Sequence, residues 1–160
     1  MTSRPPTDPL DRAFTIVMNS FLERGYAASH IEVARTMGLS MEEGRQLYRE
    51  LVNGQYHSSW LEEGTDYVVS FAPFNNLPTP YRITIDGQQR WFAQCGFEAL
   101  AIHWLVPGKL VRVDAPCLDC GEPIALELRD EDLLLEDPPG VVGYTGAQLG
   151  DPRPEGHSWR

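Results

Sequence analysis

Few cysteines, a single lysine and no long apolar run mark this chain, and each shortage removes a class of function. Nowhere do its 160 residues reach the roughly 18 consecutive apolar side chains of a membrane span, so no membrane partner is expected. The first residues, MTSRPPTDPLDR, lack the apolar core of a signal peptide, which makes the cytoplasm the expected compartment. Lys109 is the only lysine, and 13 basic residues stand against 23 acidic ones, a formal net charge of −10. A surface of that sign repels a phosphate backbone, so no nucleic-acid partner is expected. Three cysteines are present, Cys95, Cys117 and Cys120. The count is odd, so at least one is left out of any disulfide scheme, and in the cytoplasm thiols or metal ligands are expected instead. A second CxxC is missing, which excludes a four-sulfur zinc site made by this chain alone.

What is present suffices for one compact core, with 42% hydrophobic residues. Residues 1–8 are polar and proline-rich and are expected to be a disordered tail. Leu10, Phe14, Val17, Met18, Phe21 and Leu22 recur at helical spacing up to a stop at Gly25. A short helix is predicted from His30 to Met37, broken by Gly38. Ser40 and Glu43 then form a capping box that opens a third helix, ending near Gly54 and weakened by about 1 kcal/mol at Gly44. Three helices followed by strands is the order of a winged-helix-like lobe, assigned to residues 9–60. Its last helix carries Glu42, Glu43 and Glu50 against Arg45 and Arg49, with no basic cluster for DNA.

Residues 61–145 read as a mixed, mainly antiparallel β domain with one central helix, making the whole chain α+β. Strands are expected at 67–71, 81–85, 89–93, 110–113 and 124–128, with Asp86-Gly87 as a tight turn. Phe97, Leu100, Ala101, Trp104 and Leu105 share one face of the central helix, so Cys95 sits where a strand feeds a helix. Residues 129–137 show little periodicity, and 146–160 are expected to be a flexible tail.

The cysteines carry the chemistry. A thiol at a helix N-terminus meets unpaired N–H groups, which should lower its pKa and make Cys95 a nucleophilic or metal-capturing thiolate; the alternative is a small core residue. Glu98, one turn on, shares its face and could act as a general acid if buried, or else be a solvated first-turn glutamate. Cys117-Leu118-Asp119-Cys120-Gly121 reads as a knuckle at a hairpin tip, able to converge two sulfurs on zinc, copper(I) or a softer ion. Cys95 could be a third ligand, with His103, His157 or Glu98 as a fourth. His103 on an apolar helix is as well explained as a hydrogen-bonded core residue. A cleft over Cys95 would be covered by the loop 73–80 with Phe71, Phe74 and Tyr81 as aromatic neighbours.

The hairpin YRITIDGQQRWFAQC, the helix GFEALAIHWLVPGK and the strand pair LVRVDAPCLDCGEPIALEL resemble the bacterial alkylmercury (organomercurial) lyases. The resemblance implies a winged-helix-like lobe followed by a β-rich catalytic domain, and protonolysis of a carbon–mercury bond. In that family one cysteine thiolate binds the organomercurial, a second completes capture, and a carboxyl supplies the proton. Cys95 matches the first catalytic cysteine, and Glu98 stands where the family usually has aspartate. Cys117 matches a cysteine thought to be structural there, and Cys120 is an addition. The family's second catalytic cysteine lies further on, and this chain has none after Cys120. Three readings follow. One is a lyase-like enzyme with Cys117 or Cys120 as substitute thiol. Another is a non-catalytic zinc or soft-metal protein using Cys95, Cys117, Cys120 and His103. The last is an enzyme of the same fold acting on a substrate without mercury.

Overall fold

The computed structural model describes residues 8–55 and 58–144. Three helices come first: α1 (Pro9–Arg24), α2 (His30–Met37) and α3 (Met41–Glu50), the last running on into a π-helical turn, Leu51–Gln55. Eight strands follow: β1 (Ser59–Leu61), β2 (Val68–Phe71), β3 (Phe74–Asn75), β4 (Arg82–Ile85), β5 (Gln88–Ala93), β6 (Val111–Pro116), β7 (Pro123–Arg129) and β8 (Asp132–Asp137). Between β5 and β6 lie α4 (Gly96–Ala101) and a 3₁₀ turn, Ile102–Leu105. All pairings are antiparallel, in the order β1-β2-β3-β5-β4-β6-β7-β8, so the α+β class is met by a single sheet. Among the described residues no helix is long and apolar enough to cross a membrane.

Local chemistry explains the helix limits. Asp8 caps α1, its carboxylate accepting from Leu10 N–H at 2.8 Å, and Pro9 occupies the first turn, where a missing N–H costs nothing. Asp8 is therefore part of the helical start; residues 1–7 of the expected N-terminal tail, residue 145 and the whole expected tail 146–160 lie outside the described residues. Both α2 and α3 open with full capping boxes, Ser29–Glu32 and Ser40–Glu43. Gly25 and Gly38 end α1 and α2 in the left-handed region, at φ +91° and +71°. The Asp86-Gly87 turn has positive φ at both positions, the demand of a two-residue hairpin. Asp86 also accepts from Leu110 N–H (3.0 Å) and from Lys109 Nζ (2.8 Å), so the lone lysine ties the β4–β5 turn to the start of β6.

Helices and sheet share one core. Phe21 of α1 stacks on Phe74 of β3 at 4.9 Å, and Phe74 meets Trp91 of β5 at 5.1 Å. The Trp91 indole donates to the Phe21 carbonyl at 2.8 Å, satisfying its one polar atom inside the core. Tyr48 does the same through its hydroxyl, which donates to Ala28 O at 2.6 Å. Phe71 and Phe74 are fully buried, which corrects their expected place beside an open cleft: their strands turn them inward against α1. Alternation along the strands puts Ile83, Trp91, Val111 and Val113 in this core and turns Arg82, Arg112 and Asp114 to the other face. On that outer face Arg112 bridges Asp114 and Glu127 at 2.9 and 3.0 Å.

Candidate active site

Strand β5 is pinned between β4 and β3, and it delivers the chain to Cys95 in extended geometry, φ −146° and ψ 173°. Cys95 is the N-cap of α4, and its carbonyl accepts the first intrahelical bond from Ala99 N–H at 2.9 Å. Ala99 and Ile102 face the core and anchor the helix. Glu98 is then the third helical residue, so Cys95 and Glu98 hold the positions that Ser29 and Glu32, or Ser40 and Glu43, hold in their capping boxes. The likeness extends to the carboxyl, which the Cys95 thiol and backbone N–H both reach. The sulfur makes no capping hydrogen bond, although the N–H groups of Glu98 and Phe97 point toward it.

The same local geometry gives opposite electrostatics. The Arg24 guanidinium and the Ser29 amide hold Glu32 down at about 2, and Ser40 lowers Glu43. Glu98 instead rises above its ordinary 4.5, because burial outweighs the favourable contacts from Cys95. Cys95 rises too, first through burial and further through the neighbouring Glu98 charge. This corrects the expected lowering by the helix terminus. A helix of six residues aligns few peptide dipoles, and desolvation of the half-buried thiol wins. Each group therefore gives up its proton less readily than an exposed one would.

Two neighbours complete the site. Tyr81 lays its ring on Gly96, where a Cβ would come within 3.4 Å of the ring edge, and its phenol is raised by burial and then by Cys95. The Gln94 amide, turned so that its NH₂ meets acceptors, donates to Ser58 O at 2.9 Å and to Glu98 Oε2 at 3.1 Å. Tyr81 is thus an aromatic neighbour of Cys95, as expected, whereas the role of Gln94 was not legible in the sequence, because Gln94 and Glu98 meet only through the strand-to-helix bend. Elsewhere, a groove of about 480 Å³ lies on the outer face of the sheet, lined by Arg82, Phe92, Arg112 and Asp114. Thr79 and Pro80 of the loop 73–80 line it too, whereas Cys95 and Glu98 do not.

The expected ligand set of Cys95, Cys117, Cys120 and His103 is not assembled. Among the described residues no group of three or more His, Cys, Asp or Glu could hold a metal ion. His103 is buried in the turn after α4, with Nδ1 bonded to the Leu100 carbonyl, which fits the core-residue alternative. Cys117 and Cys120 lie at the tip of the β6–β7 hairpin, and all three thiols are free. His157 lies outside the described residues. Cys117 is the thiol whose pKa is lowered, by the N–H groups of Cys120 and Asp119 and by the Cys120 thiol. Alkylation in a rising pH series should therefore modify Cys117 at lower pH than Cys95. Peptide mapping after short iodoacetamide pulses reads the order, and Cys95 reacting first would mean that burial does not govern its thiol.

An alkylmercury lyase family model (MerB) matches residues 74–155, just over half of the chain, a span that contains this site. The chain belongs to the alkylmercury lyase family. Among relatives, the alkylmercury lyases of Bacillus cereus and Clostridium butyricum are each 26% identical over 121 residues, 76% of this chain. That match takes in 51% of each relative, so this family member spans about half the length of the curated relatives it matches. The crystal structure of the mercury-bound form of MerB2 shares the fold, with a TM-score of 0.62 over 84% of this chain and 62% of that one, at 20% identity.

Proposed function

We propose that this alkylmercury lyase family member cleaves the carbon–mercury bond of small organomercurial cations, using Cys95 to hold mercury and Glu98 to move the proton. The observation that carries the reading is the Cys95–Glu98 pair itself: adjacent on the first turn of α4, half-buried and in contact, with burial raising the pKa of each. Mercury is among the softest of cations and selects sulfur over oxygen and nitrogen donors. The Cys95 sulfur displaces a weak ligand from R–Hg⁺, and the thiol proton passes to the Glu98 carboxylate. The carboxylic acid then protonates the carbon. The C–Hg bond breaks, R–H leaves, and Hg(II) stays on sulfur opposite a regenerated carboxylate. No electron changes hands beyond the shared pair that moves from mercury–carbon to carbon–hydrogen.

Burial suits this sequence of steps. A carboxyl raised above its ordinary value is a better base toward the thiol, and the same group becomes the acid one step later. Gln94 points the carboxyl by holding one of its oxygens, and Tyr81 closes the side of the site over Gly96. The test is hydrocarbon release from phenylmercury in the presence of a small thiol, followed by gas chromatography. The wild-type chain should liberate benzene, and Cys95→Ser should reduce the rate to that of the thiol alone. Tight phenylmercury binding with no benzene would overturn the lyase reading and leave a soft-metal binder.

A further inference from the structure

The CxxC knuckle is not used by that reaction, and its geometry is that of a built turn. Gly121 N–H donates to Cys117 O at 2.9 Å, and Cys117 N–H donates to Glu122 O at 2.7 Å. Gly121 takes φ +78°, a conformation that a side chain would strain. Below the turn the hairpin register is fixed, with Ala115 opposite Ile124 and Pro116 opposite Pro123. The Gly121–Cys117 bond closes one tight turn that holds both cysteines. Cys120 is exposed and Cys117 partly so, and neither is tied up in a disulfide.

We propose that Cys117 and Cys120 form a second soft-ion site, separate from Cys95, which takes a two-coordinate thiophilic cation such as mercuric or cuprous ion between its two sulfurs. Ligand number makes the selection. Zinc in a structural site takes four ligands, and no third metal-binding side chain is gathered here among the described residues. A cation satisfied by two thiolates needs nothing more than this turn supplies. Binding releases two protons to solvent, forms two sulfur–metal bonds and changes no oxidation state. The site does not depend on lyase chemistry at Cys95, although mercuric ion left there would find in it a chelating acceptor.

The experiment titrates Cys95→Ala protein with mercuric chloride, counting bound metal and free thiols after gel filtration in a monothiol buffer. One ion per monomer with both thiols consumed is expected, and either Cys117→Ser or Cys120→Ser should cut retention about 100-fold or more, because chelation is lost. Equal retention by the single-cysteine variants would overturn the proposal. So would zinc uptake that pairs two chains, since the knuckle would then be half of a shared four-sulfur site. The same titration on wild-type protein, where uptake should rise by one site, keeps the test decisive if Cys95→Ala fails to fold. Failure here would leave benzene release unaffected, and failure of benzene release would leave this titration unaffected.

Discussion

Glu98→Gln should lower organomercurial turnover by about 100-fold or more while making the protein more stable at neutral pH. The first effect follows from the loss of the group placed to take the Cys95 proton and return it to carbon. Binding of the organomercurial should change little, since mercury is held by sulfur; equal losses in turnover and binding would demote Glu98 to a binding role. The second effect follows from the direction of its pKa. Glu98 titrates above 4.5 in the fold, so above that pH the unfolded chain ionises the carboxyl more readily than the folded one, and folding is opposed. Below 4.5 both states hold the proton and the penalty disappears. The variant should therefore exceed wild type in urea denaturation at neutral pH, with the gap closing as pH falls through the folded-state pKa toward 4.5. A variant less stable than wild type at neutral pH would show that Glu98 serves the fold as a carboxylate. Gained stability with lost chemistry is the expected trade at a site held in an unfavourable environment for its function.

The elements that the sequence shows most clearly are those whose local chemistry and burial agree. Helix α2 is found from His30 to Met37 as expected, because the caps on both sides depend only on neighbouring residues. The β4–β5 hairpin is equally local, set by Asp86-Gly87 and by alternation of Ile83 and Ile85 with polar residues. Strands β1 and β3 escape notice because three and two residues are too short to display a period. Strand β8 escapes for another reason. It is the edge strand beyond β7, and its burial pattern from Asp132 to Asp137 never reaches full burial, so Leu133, Leu134 and Leu135 need not alternate with polar residues. The candidate site divides in the same way. Cys95 and Glu98 are neighbours along one helical turn and visible as a pair, and the hairpin tip at Cys117 and Cys120 is visible from CxxCG. What the sequence does not show is environment. Desolvation raises Cys95 and Glu98, while at the hairpin tip the turn amides of Cys120 and Asp119 make Cys117 the more acidic thiol.

Gly44→Ala should destabilise the protein, although helix propensity alone favours the change by about 1 kcal/mol. Within its own helix Gly44 is a weak point; in the fold it is where α2 and α3 touch. A Cβ at Gly44 would lie 2.3 Å from the Ala34 Cβ and 2.9 Å from the Ala34 α-carbon, distances no packed pair of carbons sustains. The obstruction is partly main chain, so a rotamer change cannot relieve it and the helices must separate. Overpacking of this kind costs about 1–3 kcal/mol or more, which exceeds the propensity gain, and a lower urea midpoint at unchanged slope is the expected reading. Adding Ala34→Gly should restore part of the loss, since it removes the clash between the two methyl groups and leaves the crowding against the main chain of residue 34. The coupling in the double-mutant cycle measures that methyl–methyl clash. A neutral or stabilising single variant would mean that the two helices do not approach so closely. The consequence reaches the candidate site. Helix α3 continues into Leu51 and Val52, both fully buried, and the chain then runs to Ser58, whose carbonyl holds the Gln94 amide that points Glu98. Displacing α3 thus disturbs the polar contact that orients the proposed proton carrier, so turnover should fall in Gly44→Ala under conditions where the protein is still folded, and recover with Ala34→Gly.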